Sequence, residues 1–346
     1  MDALAELDRE FAAGAHGAID GMHVTIDGRV AYSATYPRDY ARLLAHGAGE
    51  PGAYNYYDSK WHPFLDASRL HTMQSVSKSV ASALVGVAIA RGEISSVDAP
   101  IARYFADYPQ DDDPRRRALT LAHLLTMTAG IAWDETSAPY TDPRNACAAM
   151  EASDDWIAFV LRQPMACAPG TAFVYSSGVT MLIAHVLERA TGVPLDDYAA
   201  RHLFAPIGIA QSYWKKTPTG LVDAEGGLYL TLEDFARVGE LYANDGAWNG
   251  ARILPEGWVD RSFARSVSVP DERGFEYGFQ WWRVPAPSGA HAPAALGFGG
   301  QRLIVLREHG LVGAFTGWNI DQPSLSATLV VERLLRAVGE RSSDFA

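Results

Sequence analysis

Strand patterns at the two ends of this chain enclose a helical middle, and that order limits the folds open to it. Near the start, Met22 to Asp27 and Arg29 to Tyr36 are strand-like runs around Asp27-Gly28, a pair suited to a two-residue hairpin because both positions tolerate positive φ. Strand character returns at Tyr277–Val284, Gly300–Arg307 and Leu311–Trp318. Between these, Leu121–Met127, Asp154–Arg162, Val179–Ala190 and Leu232–Asn244 repeat apolar residues at helical steps. A last helix is expected from Leu325 to Val338, after Pro323. The expected class is α+β: one antiparallel sheet made by both ends, with a mostly helical insertion. Residues 1–97 and 266–346 would form the sheet lobe and 98–265 the helical lobe, with an active site in the cleft between them.

The segment ahead of the insertion carries the chemistry. A polar stretch dotted with Tyr54, Tyr56, Tyr57 and Trp61 leads into Gln74-Ser75-Val76-Ser77-Lys78-Ser79. Val76, Val80, Ala83, Leu84, Val87 and Ala88 then recur at three- and four-residue steps, and Arg91-Gly92 supplies a cationic end and a C′ glycine. On a helix Ser75 and Lys78 share one face, with Cβ atoms roughly 5–6 Å apart. That suits a hydroxyl nucleophile and an amine base, and burial would lower the lysine toward neutrality. The competing reading is a serine N-cap with Lys78 reaching outward to solvent. A second copy, Ser212-Tyr213-Trp214-Lys215, runs into Lys216-Thr217-Pro218-Thr219-Gly220 and reads as surface loop.

Charge and composition exclude several classes. A net charge of −12 with no offsetting basic stripe argues against nucleic acid and anionic membranes. Arg115-Arg116-Arg117 directly follows Asp111-Asp112-Asp113, so the charges cancel locally. The start, Met1-Asp2-Ala3-Leu4-Ala5-Glu6, lacks the basic-then-apolar order of a signal peptide, from which a cytoplasmic location is expected. Cys147 and Cys167 read as reduced, buried residues, with a disulfide between them left open. Neither metal-binding nor phosphate-binding spacings occur, so no metal and no cofactor is expected.

Two further segments are candidates. Pro169-Gly170 through Tyr175-Ser176-Ser177-Gly178 is a turn followed by a helix start, placing Tyr175 and Ser177 in a loop. A loop-anchoring tyrosine and a serine N-cap account for it equally well. Ala295-Leu296-Gly297-Phe298-Gly299-Gly300-Gln301 precedes a strand. Its glycines permit close backbone approach, and a backbone N–H there can serve as an oxyanion donor; the alternative is a bulge. Trp133, Tyr140 and Trp282 are candidates for a pocket wall, and Trp281 for the core. Asp134 and Glu135 read either as partners for a substrate ammonium or as solvated loop carboxylates. His123 reads as structural, because no Gly-x-Ser-x-Gly elbow accompanies it.

Taken in order, these segments resemble the serine β-lactamase/penicillin-binding superfamily, and within it the class C-like branch of esterases, amidases and aminohexanoate-oligomer hydrolases. The resemblance is carried by Gln74–Ser79, His123–Gly130, Pro169–Gly178, Leu203-Phe204-Ala205-Pro206-Ile207-Gly208-Ile209 and Gly226-Gly227-Leu228-Tyr229-Leu230-Thr231. It implies an α/β sandwich whose antiparallel sheet is flanked by N- and C-terminal helices. It also implies that Ser75 carries an acyl group, Lys78 takes its proton, Tyr175 relays a proton, and the N–H groups of Ser75 and Phe298 hold the oxyanion. Ser177 and Gly297 would contact substrate, a small ester or amide. Transfer of the acyl group to an amine or alcohol is the nearest alternative, and an inactive sensor domain of the same fold the more distant one. Two departures stand out. Ser177 replaces the usual Asn, and Ala295 replaces the Lys or His of penicillin-recognising members.

Overall fold

The computed structural model describes residues 2–44, 69–109, 112–264, 267–270, 273–320 and 325–343. The aromatic stretch around Tyr54 and Trp61 lies outside the described residues, as does Pro323.

Eight strands form one antiparallel sheet from both ends of the chain. Its spatial order is Arg29–Thr35, Ile19–Ile26, Leu311–Gly317, Gln301–Leu306, His291–Gly297, Trp282–Pro285, Glu276–Tyr277 and Val267–Ser268. The expected first hairpin turns at Asp27 and Gly28, both at positive φ (50° and 69°). Pairing of Ile19–Ile26 with Leu311–Gly317 then closes the two ends of the chain onto each other.

Both faces of the central strands are buried, and Ile19–Ile26, Gln301–Leu306 and Leu311–Gly317 are buried along almost their whole length, whereas the edge strand Arg29–Thr35 is largely exposed. In Gln301–Leu306, Ile304 and Leu306 join a cluster with Leu4, Leu7, Phe11, Val330 and Leu334. That face is covered by the N- and C-terminal helices, Asp2–Ala12 and Ala327–Ser343, which pack together and pair Arg333 with Glu10 at 2.8 Å. Leu303 and Val305 point the other way, into the cluster of Val76, Val80, Leu84 and Leu241. There the helices Val76–Ala90 and Leu232–Ala243 lie on the sheet. The second of these comes from inside residues 98–265, yet its packing partner is the sheet.

Three segments differ from the sequence expectation. Tyr277–Val284 is a hairpin rather than one strand, because Gln280 takes a left-handed turn (φ 59°) between Glu276–Tyr277 and Trp282–Pro285. His291–Gly297 is a full strand, although Pro293 and three alanines give it little strand propensity; pairing on both edges overrides that. The segment read as a surface loop after Ser212 contributes Tyr213–Trp214 to a small sheet with Leu228–Leu230 and His71–Thr72, and Lys215 is buried. Among the described residues, no helix is long and apolar enough to cross a membrane.

Candidate active site

The small sheet sets the position of Ser75. Thr72 pairs with Tyr229, and the Met73 N–H donates to the Leu228 carbonyl at 2.8 Å. Gln74 follows at positive φ (49°), a strained conformation for a residue with a side chain, and the helix starts at the next residue but one. Ser75 makes no side-chain capping bond, so the N-cap reading of this serine falls. Its hydroxyl instead accepts a hydrogen bond from the Lys78 ammonium at 3.0 Å, one turn on. The Tyr175 ring lies beside this pair, with the Lys78 nitrogen 5.4 Å from its centre; burial raises the phenol, while Lys78 and Ser75 draw it back down. Ser75 is half-buried, whereas Lys78 is only 1% exposed.

Lys78 has two further partners that the sequence reading missed, both from Glu225: its backbone carbonyl at 2.7 Å and its carboxylate at 3.0 Å. Glu225 sits in a turn held by Asp223, whose carboxylate accepts from the Glu225 and Gly226 N–H groups at 3.2 and 3.0 Å. Pairing of Leu228–Leu230 with His71–Thr72 brings that turn over the first turn of the Ser75 helix. The available signal was an acidic residue directly before the Gly226-Gly227 pair. This environment corrects the expectation of a neutral lysine. Burial pushes Lys78 down, but Tyr175, Glu225 and Glu135 together hold the ammonium well above the ordinary lysine range. Burial also raises Glu225, yet Lys78 and hydrogen bonds from its neighbours outweigh it and keep the carboxylate ionised.

Glu135 is neither a solvated carboxylate nor an open ammonium site. It is buried and accepts from the Trp133 indole (2.5 Å), the Ser177 N–H (2.7 Å), the Ser177 hydroxyl (3.1 Å) and the Tyr140 phenol (3.3 Å). Its neighbour Asp134 is exposed and caps the Thr136 and Ser137 N–H groups. Ser177 opens the helix Ser177–Thr191, with Ser176 as its N-cap at 3.3 Å from the Val179 nitrogen. The Ser177 hydroxyl is thus turned toward buried carboxylates, and Trp133 backs the same helix. Trp282 stacks on Tyr175 at 5.5 Å, and Tyr140 meets Phe298 edge-on at 5.8 Å.

Gly297 lies where only glycine fits: a methyl there would stand 2.5 Å from the Met73 carbonyl oxygen. The following turn is held by Gln301, whose amide donates to the Phe298 and Gly317 carbonyls at 3.0 and 2.6 Å. Ala295 is buried in the cluster that contains Val76 and Val80, as expected for a strand position facing the Ser75 helix. Gln280, also unforeseen, locks the assembly. Its carbonyl accepts from Ser79, its amide oxygen from Thr180, and its amide nitrogen donates to Leu124. His123 closes its own helix by reciprocal capping with Thr120, the expected structural role.

Both cysteines are free thiols; Cys147 is buried and Cys167 half-buried, which corrects the expectation that both are buried. Among the described residues, Cys147, Glu151 and Glu225 form one group whose donor atoms lie within 4.8 Å of one another. That set is poorly disposed toward a cation. The Lys78 ammonium already holds Glu225, and burial pushes the Cys147 thiol and the Glu151 carboxyl well up, which keeps both protonated.

An antiparallel sheet with both terminal helices on one face and the serine helix on the other defines the serine β-lactamase-type fold. The chain belongs to the Beta-lactamase family, whose sequence model matches residues 7–323, and this family of serine hydrolases includes esterases, amidases and β-lactamases. A 6-aminohexanoate-dimer hydrolase from Paenarthrobacter ureafaciens is 26% identical over 254 residues, covering 67% of this chain and 62% of that protein. The match thus spans somewhat less than two thirds of that relative. Among solved structures, a candidate 6-aminohexanoate-dimer hydrolase from Bacillus anthracis superposes with a TM-score of 0.75 at 19% identity, covering 96% of this chain and 81% of the other. EstCE1, described as a hydrolase with promiscuous acyltransferase activity, superposes with a TM-score of 0.70 at 15% identity, covering 97% of both chains. At those identities the superpositions carry the fold alone.

Proposed function

We propose that the protein is a serine hydrolase that cleaves a small ester or amide through an acyl-enzyme on Ser75. The observation that carries this reading is the hydrogen bond from Lys78 to the Ser75 hydroxyl at 3.0 Å, with the Tyr175 ring 5.4 Å from the same lysine nitrogen. A hydroxyl becomes a nucleophile when a neighbouring group takes its proton as the bond to carbon forms. In this reading Lys78 receives that proton. Tyr175, beside this pair, passes a proton to the leaving group. The N–H groups of Ser75 and Phe298 hold the oxyanion, and the Gly297 contact with Met73 supports that placement by setting the two segments side by side. Tyr140, Phe298 and Trp282 form an aromatic wall for the acyl or leaving group. The cleft reading divides the chain into a sheet lobe (1–97 and 266–346) and a helical lobe (98–265).

Ala295 offers a buried methyl group where β-lactam-processing relatives place a cation. Neutral esters and amides therefore suit the site better than carboxylated β-lactams. Transfer to an amine or alcohol is the second reading; acyltransferase activity is described for EstCE1, which shares the fold. A panel of short acyl esters, linear amides and nitrocefin, each with and without added amine, tests these readings. Turnover of neutral esters or amides well above nitrocefin is expected. Nitrocefin turnover equal to the best ester would defeat the substrate argument, and amine-dependent product would shift the assignment to acyl transfer.

A further inference from the structure

The scheme above leaves Glu225 without a role, although its carboxylate stands 3.0 Å from the Lys78 nitrogen. Its backbone carbonyl, at 2.7 Å, already suffices to orient the lysine. Removing a carboxylate from water costs several kcal/mol, and Glu225 is only 4% exposed. A protonated lysine also cannot accept a proton until it has released one. The site therefore needs a second proton acceptor within reach of Lys78, besides Ser75.

We propose that Glu225 is a positioning residue acting through Lys78, holding the ammonium's surplus proton while the amine takes the proton of Ser75. This rests on the acyl-enzyme reading above. As Ser75 Oγ bonds to the carbonyl carbon, the carbonyl π pair moves onto oxygen and the serine proton passes to Lys78 Nζ. One proton of Lys78 passes to the Glu225 carboxylate in the same step. The centre then holds a Lys78 ammonium, a neutral Glu225 and one oxyanion, so the total charge is unchanged. When the oxyanion collapses, the bond to the leaving group breaks and that group takes a proton from Tyr175. Tyr175 is refilled from Lys78, and Lys78 from Glu225.

The surroundings favour Glu225 over the other buried acids. Glu135 is saturated by Trp133, Tyr140 and Ser177. Burial and the Glu225 charge push the Glu151 carboxyl well up, which leaves it a poorer anion than Glu225. The Cys147 thiol donates to the far carboxylate oxygen at 3.7 Å, leaving the near one for Lys78. The groups whose charge acts on Glu225 or is felt by it are Lys78, Tyr175, Glu135, Cys147, Glu151, Asp223 and Lys215.

The test is stopped-flow acylation by a short-chain p-nitrophenyl ester across pH, with the wild type, Glu225→Gln and Glu225→Asp, together with melting temperatures. The Gln variant should acylate on the order of 10²–10⁴ slower at neutral pH, the usual loss for a proton-transfer partner, and Asp should recover part of the rate. Equal rates, or a Gln variant whose acid limb only moves to lower pH, would overturn the proposal. Removing the anion makes Lys78 easier to deprotonate, so such a variant would show that a free amine suffices. If the Gln variant does not fold, the wild type decides in H2O/D2O mixtures. A curved proton inventory for acylation, reporting two protons in flight, supports the relay, and a linear one overturns it. Ser75 acylated by mass spectrometry with an unaffected Gln variant sinks the Glu225 role alone; turnover with no Ser75 adduct sinks both readings.

Discussion

The chain spells Ser-x-x-Lys twice, and the two copies end in different chemistry because one is wound and the other extended. Ser75 and Lys78 lie on the first turn of a helix, where residues three apart share a face, and their side chains meet at 3.0 Å. Ser212 and Lys215 bracket the strand Tyr213–Trp214, where residues three apart point to opposite faces. Both lysines are buried, yet their charges are treated differently. Acidic neighbours hold Lys78 above its ordinary range, whereas for Lys215 burial outweighs Asp223, Glu151 and Glu225 and lowers it. The four-residue spelling is mute about chemistry until the backbone around it is known.

The largest contrast is expected at the two serines. Ser75→Ala should abolish hydrolysis and labelling by a fluorophosphonate, and Ser212→Ala should leave both unchanged, as read by turnover and intact mass. Equal losses would erase the distinction between the copies. The lysines come next. Lys78→Arg should lower turnover on the order of 10²–10⁴, because guanidinium stays protonated and cannot pass a proton on; wild-type turnover in that variant would remove Lys78 from the proton path.

Tyr175→Phe separates chemistry from packing. The ring that stacks on Trp282 is kept and only the hydroxyl is lost, so turnover should fall far more than the melting temperature. Parallel losses would make Tyr175 a loop anchor. The smallest effect on activity is expected from Lys215→Met, which should keep Ser75 reactive while costing about 1–3 kcal/mol of stability in denaturant unfolding. The cost stays modest because Asp223, pushed up to about 7 by burial, can take a proton and leave no bare charge. A large loss of Ser75 labelling in a folded Lys215→Met protein would tie the second lysine to the first.

Residues that carry a period or a spacing were legible in the sequence. The apolar steps after Ser75 showed its helix, the Asp27-Gly28 pair its hairpin, and five motifs in order the family. Glu225 and Gln280 were not legible, because their roles depend on contacts made across the fold. Glu225 reaches Lys78 across 147 positions and Gln280 reaches Ser79 across 201. Glu135 could be seen but not interpreted: its acidity suggested solvent or an ammonium until four donors closed around it. The same limit explains Lys78. Helical spacing foretold its meeting with Ser75, but its charge is set by carboxylates from other segments, so the expectation of neutrality failed.

The central claim is that Ser75 carries the acyl group. It is tested most directly by mixing the enzyme with a slowly deacylated p-nitrophenyl ester, quenching in acid within the burst, and mapping peptides by mass spectrometry. The account predicts one acyl mass increment, on the peptide holding Ser75 and localised to that side chain. An increment on Ser212 or another residue, or steady turnover with no covalent adduct at any quench time, would contradict it.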